Sequence, residues 1–417
     1  MKLSEVLTAL QEPDANDCLK IEWDKAMRAM PSSIPSFLLP GEFKTSREWA
    51  GFGPELDALL ESGAARIREN PALMCLTWYY HWRTFDCADE SLIDAPALEK
   101  CLGEWAGLPF LLIALSWIPK LRAYHRILGV PENVTRETGL QVSSYCSNYQ
   151  RSHGGHYGIM TRQMRWLRNY VGKNLYFRIG RMEYWFKEFD GELEVYRHIE
   201  NSKVVALMAG GLAFGADGFR DVSKGTDPGA WTSTLEKTDR EARGHPVLPA
   251  GKVSLQPATL PLAEWKCVLK KGDGILDMHI PAGGNMTLEK CGDSMRRAVE
   301  FFRQYFPDKK PSAFLCKSWM FSPCLEEILP PSANLVKYMR ELYLYPNEGV
   351  DRTLWFVFLQ NQFDPATAPR ETSLQRAVYD YVTSGHLWRT GNMFFLTDDL
   401  PHFGTGFYRG NFPAGLV

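Results

Sequence analysis

The hydrophobic periodicity of the chain changes near residue 172, and this change limits the folds that the sequence can adopt. Before it, apolar residues recur three and four positions apart in segments such as PELDALLESGAARIREN and PALMCLTWYYHWRTF, which is typical of amphipathic helices. After it, aromatic and β-branched runs such as NLYFRIGRMEYWFKEF and GELEVYRHIEN are separated by turn residues, which is typical of a meander of strands. The sequence therefore predicts an α+β protein whose N-terminal part is helical.

These patterns divide the chain into three segments. Residues 1–155 are predicted to form a helical N-terminal domain, and residues 156–263 a strand-rich middle segment. The middle segment is expected to end in a long loop region over 221–263, because this stretch is rich in Gly, Pro, Ser and Thr. Helices and strands alternate over 264–417, where the run TLWFVFL at 353–359 predicts a strand and SLQRAVYDYVTSG a helix. The middle and C-terminal segments are expected to share one sheet.

Charge and composition exclude several classes of function. The chain has 47 Lys and Arg against 49 Asp and Glu, a formal net charge of -2. This charge gives no field that would attract nucleic acid or an anionic membrane surface. The longest apolar run, 107–118, is about half of a membrane span and contains Pro109. The nine cysteines form no CxxC pair and MKLSEVLTAL is not a secretory signal, so we expect a cytoplasmic protein without nucleic acid or membrane partners.

The segment GDGILDMHIPAGGNMTLEKCGDSMRRAVEFF, residues 272–302, predicts a strand, a glycine turn and a long amphipathic helix. Alternation along GILDMHI places Asp277 and His279 on a polar face and their apolar neighbours on the other. Asn285 or Thr287 can cap the helix. A glycine turn before a helix leaves backbone amides that can bind a phosphate or another anion, and it can equally be a plain connection that binds nothing.

The order of the C-terminal motifs carries a resemblance to a known family. The segment at 272–302 is followed by AFLCKSWMF and LPPSANLVKYMREL, and it is preceded by QMRWLRNYVGKNLYFRIGRMEYWF and GHPVLPAGKV. This succession resembles bacterial acyltransferase-domain proteins that join a helical N-acyltransferase N-terminal domain to a GNAT-like C-terminal domain. The resemblance implies a mixed-sheet acyltransferase domain in which strands 274–281 and 312–321 splay apart and an acyl-CoA lies between them.

The resemblance also implies where the CoA would bind. Its pyrophosphate would contact the turn before the helix, and Ser318 is predicted as a hydroxyl that lines the gap. The residues of the turn are Ala282, Gly283, Gly284, Asn285 and Met286. The family's Q/R-x-x-G-x-G/A sequence is absent from this turn, and no basic residue stands beside it in the sequence. Acetyl-CoA or another acyl-CoA is the expected co-substrate, and no metal is expected.

Acyl transfer to an amine needs a base for the ammonium proton and an acid for the leaving thiolate. His279 is the candidate base, because imidazole side chains titrate near neutral pH. Asp277 is the candidate to orient His279 or to hold the amine, although an i, i+2 pair is expected to be too far apart for a dependable direct hydrogen bond. Tyr338 is the candidate acid, because the spacing from Tyr338 to Tyr343 resembles that of the GNAT helix. The predicted function is transfer of an acyl group to a small-molecule or peptide amine by direct attack.

Two other functions stay open at this point. A non-catalytic GNAT-like protein would keep the fold and bind a ligand without turnover. A cysteine-dependent acyl transferase or hydrolase would use Cys291, near the N-terminus of the helix, or Cys316, on the strand beside His279. This alternative is weakened by the position of Cys291 on the apolar stripe of its helix.

Two further groups of polar residues are predicted to lie on the surface. Cys146, His153 and His156 are close in sequence but lack a fourth ligand for a metal, so they are expected to belong to a loop with surface histidines. Arg181 and Glu183 alternate on one strand, where they could line a polar pocket, and a solvated strand face is the favoured interpretation.

Overall fold

Contacts between residues divide the chain into two units. The computed structural model describes residues 1–12, 19–20, 22–87, 98–220, 228–351, 354–360 and 362–416. Unit 1 comprises Met1–Ile179 with Pro281–Gly283, and unit 2 comprises Gly180–Ile280 with Gly284–Val417. Unit 1 therefore extends past the domain boundary predicted at residue 155, and its last helix ends at Tyr170, close to the change of periodicity near residue 172.

Unit 1 consists mainly of helices. Its α-helices are α1 Leu3–Ala9, α2 Trp23–Ala29, α3 Phe43–Trp49, α4 Asp57–Glu69, α5 Pro71–Phe85, α6 Glu99–Leu102, α7 Leu108–Ile127, α8 Glu132–Gly139, α9 Gln141–Ser152 and α10 Thr161–Met164. Short 3-10 helices lie at Ser36–Leu38, Pro54–Leu56, Gly103–Trp105 and Arg165–Tyr170, and one strand, β1, lies at Tyr176–Ile179.

Helix α5 shows how the sequence sets these elements. The Asn70 side chain accepts hydrogen bonds from the backbone N–H groups of Ala72 and Leu73, both at 3.1 Å, and Pro71 occupies the first position of the helix.

No single helix among the described residues is long and apolar enough to span a membrane. One pair, Glu99–Trp105 with Leu108–Ile127, reaches that length only across a bend of 63°.

Unit 2 contains the other elements. Its strands are β2 Met182–Glu188, β3 Leu193–His198, β4 Val204–Met208, β5 Ala213–Phe214, β6 Trp231–Thr232, β7 Leu235–Lys237, β8 Glu241–Gly244, β9 Pro246–Leu248, β10 Lys252–Val253, β11 Ala258–Pro261, β12 Trp265–Leu269, β13 Gly274–His279, β14 Ala313–Ser318, β15 Tyr343–Val350 and β16 Arg389–Leu396. Its α-helices are α11 Leu288–Tyr305, α12 Leu325–Ile328, α13 Asn334–Glu341, α14 Trp355–Phe358, α15 Ser373–Thr383 and α16 Phe407–Gly410, and 3-10 helices lie at Trp319–Phe321, Thr397–His402 and Ala414–Leu416.

Five strands of unit 2 form a central mixed sheet in the order β2-β13-β14-β16-β15. The pair β13 and β14 is parallel, and the other neighbours are antiparallel. Helix α11 packs on one face, here called the helix face, where the hydroxyl groups of Tyr184 and Ser294 lie 2.8 Å apart. Alternation along β13 places Met278 on the helix face, and Asp277 and His279 on the opposite face, here called the second face.

Helix α11 begins at the glycine turn after β13. Thr287 is its N-cap, and the Thr287 side chain accepts a hydrogen bond from the backbone N–H of Lys290 at 3.4 Å. Of the two predicted caps, Thr287 therefore forms the contact. The apolar stripe of the helix is buried, as Cys291, Met295 and Ala298 show with 0% exposure.

A second sheet is inserted between β2 and β13. Its strand order is β10-β9-β4-β3-β12, and smaller sheets β11-β8-β7 and β5-β6 accompany it. The ends of the inserted segment are joined, because the backbone N–H of Phe189 donates to the carbonyl of Asp273 at 2.8 Å and that of Gly272 donates to Phe189 at 3.0 Å. The predicted meander therefore divides after β2, with β3 and β4 in the second sheet.

Two predictions about local structure are wrong. The stretch predicted as a long loop at 221–263 contains the short strands β6 to β11, and only its first part, 221–227, lies outside the described residues. The strand predicted at 353–359 is instead the short helix α14, with residue 353 outside the described part. A short run in which every residue is apolar does not distinguish a strand from a helical turn, because it has no periodicity of either kind.

Candidate active site

Two neighbouring strands of the central sheet part at one end. β13 and β14 pair in parallel over three residues, and the last pair is Asp277 opposite Leu315. β13 remains paired with β2 as far as His279, and β14 remains paired with β16 as far as Ser318. Because each strand is held on its outer side, a gap opens between the described ends of β13 and β14.

His279 and Asp277 lie together at this gap. The Nε2 of His279 is 3.5 Å from an Oδ of Asp277, and the Nζ of Lys187 on β2 is 2.5 Å from the same oxygen. The two side chains of this i, i+2 pair therefore approach to ion-pair distance on one face of the strand. Burial raises the pKa of the Asp277 carboxyl, but His279 and Lys187 together outweigh burial and hold that pKa below its ordinary value. Asp277 is therefore a carboxylate that faces the imidazole.

Glu183 on β2 lies on the second face of the sheet, as His279 does. It stands directly opposite His279 in the antiparallel register, and opposite residues on neighbouring strands share a face. Glu183 is 1% exposed, so the prediction of a solvated strand face is wrong for this residue. Sequence analysis missed it as a neighbour of His279 because the pairing joins strands that are far apart along the chain. The available signal was a carboxylate within an otherwise aromatic run.

The turn between β13 and α11 keeps much of its backbone open to solvent. Gly283 and Gly284 have φ values of 81° and 69°, in the left-handed region that favours glycine. These two glycines and Asn285 are exposed, Ala282 is half-buried and Met286 is buried. Ala282 and Gly283 belong to unit 1, and the three following residues belong to unit 2.

A cation lies beside the unit 2 part of this turn. A β-carbon at Gly284 would lie 3.5 Å from the Nε of Arg181. The charge of Arg181 also reaches Cys291 in α11, where it lowers the pKa of the thiol against the larger effect of burial. The turn's own sequence holds no basic residue, and Arg181 supplies one from a distant part of the chain. Sequence analysis named Arg181 as a possible pocket residue but did not place it beside this turn, because the two segments are far apart along the chain.

Ser318 marks the end of β14. Its Oγ accepts a hydrogen bond from the backbone N–H of Met320 at 3.2 Å, and the residue is half-buried. The hydroxyl therefore caps the short helical turn at Trp319–Phe321. Its position at the last paired residue of β14 puts it beside the gap.

Tyr338 lies on the helix face, away from His279. Its hydroxyl is 3.7 Å from the Sδ of Met182 and 3.8 Å from the Sδ of Met278. Because Met278 and His279 point to opposite faces of β13, the structure does not bring Tyr338 together with His279 and Asp277. Tyr338 is fully buried, and burial raises the pKa of its hydroxyl well above the ordinary value.

The two candidate nucleophilic cysteines are buried. Cys291 is 0% exposed, and burial raises the pKa of its thiol to about 12. Cys316 is 3% exposed, and burial, with the charge of Asp277, raises the pKa of its thiol well above the ordinary value. A nucleophilic cysteine needs the thiolate, so these surroundings oppose the cysteine-dependent alternative.

The residues around His153 do not form a metal site. Cys146 is buried in α9, His153 stacks on Tyr149 with ring centres 3.9 Å apart, and the Nδ1 of His156 lies 3.8 Å from a carboxylate oxygen of Glu104. Within the described ranges, no group of three or more His, Cys, Asp and Glu side chains could hold a metal ion.

Comparison with known families agrees with this architecture. Residues 176–395 match the GNAT-like C-terminal domain, which is more than half of the chain, and residues 44–171 match the N-acyltransferase N-terminal domain. The divided sheet and these two matches define the protein as an acyltransferase. More particularly, the chain belongs to the family whose GNAT-like C-terminal domain follows an N-acyltransferase N-terminal domain.

Solved structures share the fold over nearly the whole chain. A variant acyltransferase in complex with octanoyl-CoA is 19% identical, with a TM-score of 0.61, and the match covers 95% of this chain and 99% of that one. An acyltransferase in complex with CoA and 10C-teicoplanin is 20% identical, with a TM-score of 0.60 and coverage of 95% and 100%. Another, in complex with decanoyl-CoA and teicoplanin, is 20% identical, with a TM-score of 0.59. Among proteins with curated functions, no match is found.

Proposed function

We propose that the protein transfers an acyl group from an acyl-CoA to a small-molecule or peptide amine by direct attack. The observation that carries this proposal is the pair formed by His279 and Asp277 at the point where β13 and β14 part. The similar structures contain octanoyl-CoA, decanoyl-CoA and CoA, which supports an acyl-CoA as co-substrate. Teicoplanin in two of them supports an acceptor larger than a simple amine.

The proposed reaction has one base and one leaving group. His279 takes a proton from the ammonium group of the acceptor, and the Asp277 carboxylate stabilises the imidazolium that forms. The amine nitrogen attacks the thioester carbonyl carbon, a C–N bond forms and the C–S bond breaks. The nitrogen loses a second proton as the amide forms, and CoA leaves as a thiolate that takes up one proton.

The anionic end of CoA would bind near Arg181. The exposed backbone at Gly284 and Asn285, the positive N-terminal end of α11 and the Arg181 guanidinium all favour a pyrophosphate at this place. The family's Q/R-x-x-G-x-G/A motif is absent from this turn, and Arg181 would take the role of the basic residue of that motif.

Tyr338 stays a proposed acid for the leaving thiolate. Its hydroxyl lies beside two methionine sulfurs on the helix face, so it would act from the side of β13 opposite to His279. Tyr338→Phe removes only the hydroxyl, and a fall in kcat without a change in the KM for acyl-CoA is the result expected of the acid.

Ligand binding and turnover together test the proposal. A ligand at a hundred times its dissociation constant adds about 2.7 kcal/mol of stability, so CoA, acetyl-CoA and a longer acyl-CoA should each raise the melting temperature, and adenosine should not. His279→Ala should lower kcat/KM for thioester turnover by about 10² to 10⁴ and leave the CoA shift intact. The control is His386→Ala, because His386 is exposed and its Nδ1 lies beside the Ser384 hydroxyl.

The outcomes separate the proposed enzyme from the alternatives. A CoA shift without turnover by the wild type, over a panel of amines, would favour a non-catalytic binding protein. The absence of a shift with every CoA ligand would contradict the proposed co-substrate. Turnover that survives His279→Ala but is lost with Cys291→Ala or Cys316→Ala would contradict direct attack.

A further inference from the structure

A row of polar residues crosses the second face of the central sheet at the level of the gap. Glu183 on β2 is opposite His279 on β13, and on the other side of the gap Lys317 on β14 is opposite Asn392 on β16. Asn392 is in turn opposite Tyr345 on β15. Because opposite residues share a face, all five side chains point to the same side of the sheet. The row therefore extends on the second face from His279 to β15, the last strand of the central sheet.

Two members of this row are buried, and each carries one polar atom that has no hydrogen-bond partner in the described part of the chain. Asn392 is 0% exposed and Tyr345 is 1% exposed. Among the described residues, neither the Oδ1 of Asn392 nor the hydroxyl of Tyr345 has a hydrogen-bond partner. Buried polar groups in native proteins almost always have a protein, water or ligand partner, so this pair of groups calls for one.

The other buried tyrosine on β15, Tyr343, has hydrogen-bond partners for its hydroxyl. It lies two residues before Tyr345 on the same face of β15, and it is 0% exposed. Its hydroxyl donates to the carbonyl of Val247 at 2.6 Å and accepts from the backbone N–H of Ala206 at 3.2 Å. The second sheet thus provides partners at the level of Tyr343 and provides none among the described residues at the level of Tyr345.

Partly exposed charged side chains lie beside Asn392. The Glu192 carboxylate lies 3.5 Å from the Nδ2 of Asn392, 3.0 Å from the Nζ of Lys317 and 3.2 Å from a guanidinium nitrogen of Arg220. The side chains of Glu192 and Lys317 are 22% and 44% exposed. A ligand would therefore pass Glu192 and Lys317 on its way to Asn392 and Tyr345.

We propose that Asn392 and Tyr345 form a subsite for a hydroxyl group of the acceptor substrate. A hydroxyl can donate to the Asn392 Oδ1 and accept from the Tyr345 hydroxyl, whereas an ammonium group cannot accept and a carboxylate cannot donate. The subsite lies two to three strand spacings from His279 and one of these spans the gap, so the separation is at least about 10 Å. The acceptor is therefore an amine that carries a hydroxyl at about this distance, as an amino-sugar oligomer does. This inference rests on the proposed function, because it takes the amine to lie at His279.

A matched pair of variants tests the subsite by binding alone. The probe is the disaccharide of glucosamine, and 1,8-diaminooctane is a diamine of similar length without hydroxyl groups. We expect Tyr345→Phe to weaken disaccharide binding at least fivefold by calorimetry and to leave the melting temperature of the free protein unchanged or raised. Tyr343→Phe is the control, and it should lower the melting temperature, because it leaves a buried carbonyl and N–H unpaired, while binding of the disaccharide stays as in wild type. Neither variant should change any binding of the diamine.

Three results would overturn the subsite. The wild type could fail to bind the disaccharide, or Tyr345→Phe could bind it as tightly as wild type does. Alternatively, Tyr345→Phe could lower the melting temperature as much as Tyr343→Phe does, which would mean that an internal water holds this hydroxyl as part of the fold. The proposed function is judged separately by the CoA shift, so a wrong subsite leaves that shift in place and a wrong co-substrate abolishes it.

Discussion

Asp277 is kept ionised by its neighbours. Its side chain is 20% exposed, and the Lys187 ammonium and the His279 imidazole both approach the same carboxylate oxygen. The pKa of Asp277 is lowered in the folded state, so the ionised side chain is more stable in the folded protein than in the unfolded chain. Its contribution to stability is present above the ordinary value of 3.8 and is lost as the pH falls through the lower folded value.

Asp277→Asn tests this contribution. The substitution should lower the free energy of unfolding by about 1 kcal/mol near pH 7, because Lys187 is partly exposed and solvent screens the pair. The deficit relative to wild type should shrink below about pH 4, where the Asp277 carboxyl of the unfolded wild-type chain takes up a proton before that of the folded protein does. Urea unfolding from pH 3 to pH 7 measures it, and Asp308→Asn, at a side chain 74% exposed, is the control. A deficit that is the same at all these pH values would contradict the assignment.

The residues of the site divide into those that local spacing reveals and those that it does not. His279 and Asp277 could be found because alternation along one strand places them on a polar face. Glu183, Arg181 and Tyr345 could not, because their proximity to the site depends on which distant strands become neighbours and in which register. A single sequence carries little information about register between strands that are far apart.

Among the elements, helix α11 depends most directly on its first residues. Thr287 accepts the backbone N–H of Lys290, and the helix that follows is 18 residues long. Two exposed glycines precede this cap, so the turn has few contacts of its own that could fix where the helix starts. The cap therefore sets the position of the exposed backbone beside Arg181.

Thr287→Ala should lower the free energy of unfolding by about 1 kcal/mol, the usual loss when a capping hydroxyl is removed. Because the start of α11 would fray, the substitution should also weaken CoA binding. Asn285→Ala is the matched control, since Asn285 is exposed and is not the cap, and its effect on stability should stay within about 0.5 kcal/mol. Equal losses of stability in the two variants, measured by urea unfolding, would show that Thr287 has no special role.

Strong periodicity made some elements predictable, and its absence hid others. Helix α11 and the strands on either side of it could be predicted, because the helical stripe and the alternation of β13 are both regular. The observed strands end earlier than predicted, at His279 and Ser318, where the ladder between them has already stopped. The strands β6 to β11 were hidden because they are two to four residues long and lie in a stretch with the composition of turns. Tertiary pairing, rather than local preference, makes such residues extended.

For the whole molecule, the cysteines report on how the chain is packed. Of the eight described cysteines, Cys101 and Cys267 are half-buried and the others are buried. Among these eight, brief treatment of the native protein with iodoacetamide should therefore modify Cys101 and Cys267 first, and the buried cysteines should react only after unfolding in urea. Mass spectrometry of the digested protein measures the modified positions. Rapid labelling of Cys291 or Cys316 in the native state would contradict their burial and revive the cysteine-dependent mechanism.

The segment between β2 and β13 begins and ends at hydrogen-bonded neighbours, Phe189 and Asp273. A segment with joined ends can be gained or lost by a gene in one event, because the strands on either side keep their pairing and a tight turn can replace it. Evolution could therefore exchange this module while the proposed site at His279 is preserved. Since the module supplies the partners of Tyr343 and places Glu192 beside Asn392, its replacement would change the surroundings of the proposed acceptor subsite. The proposed catalytic residues and the residues around the proposed acceptor subsite could then evolve independently within one chain.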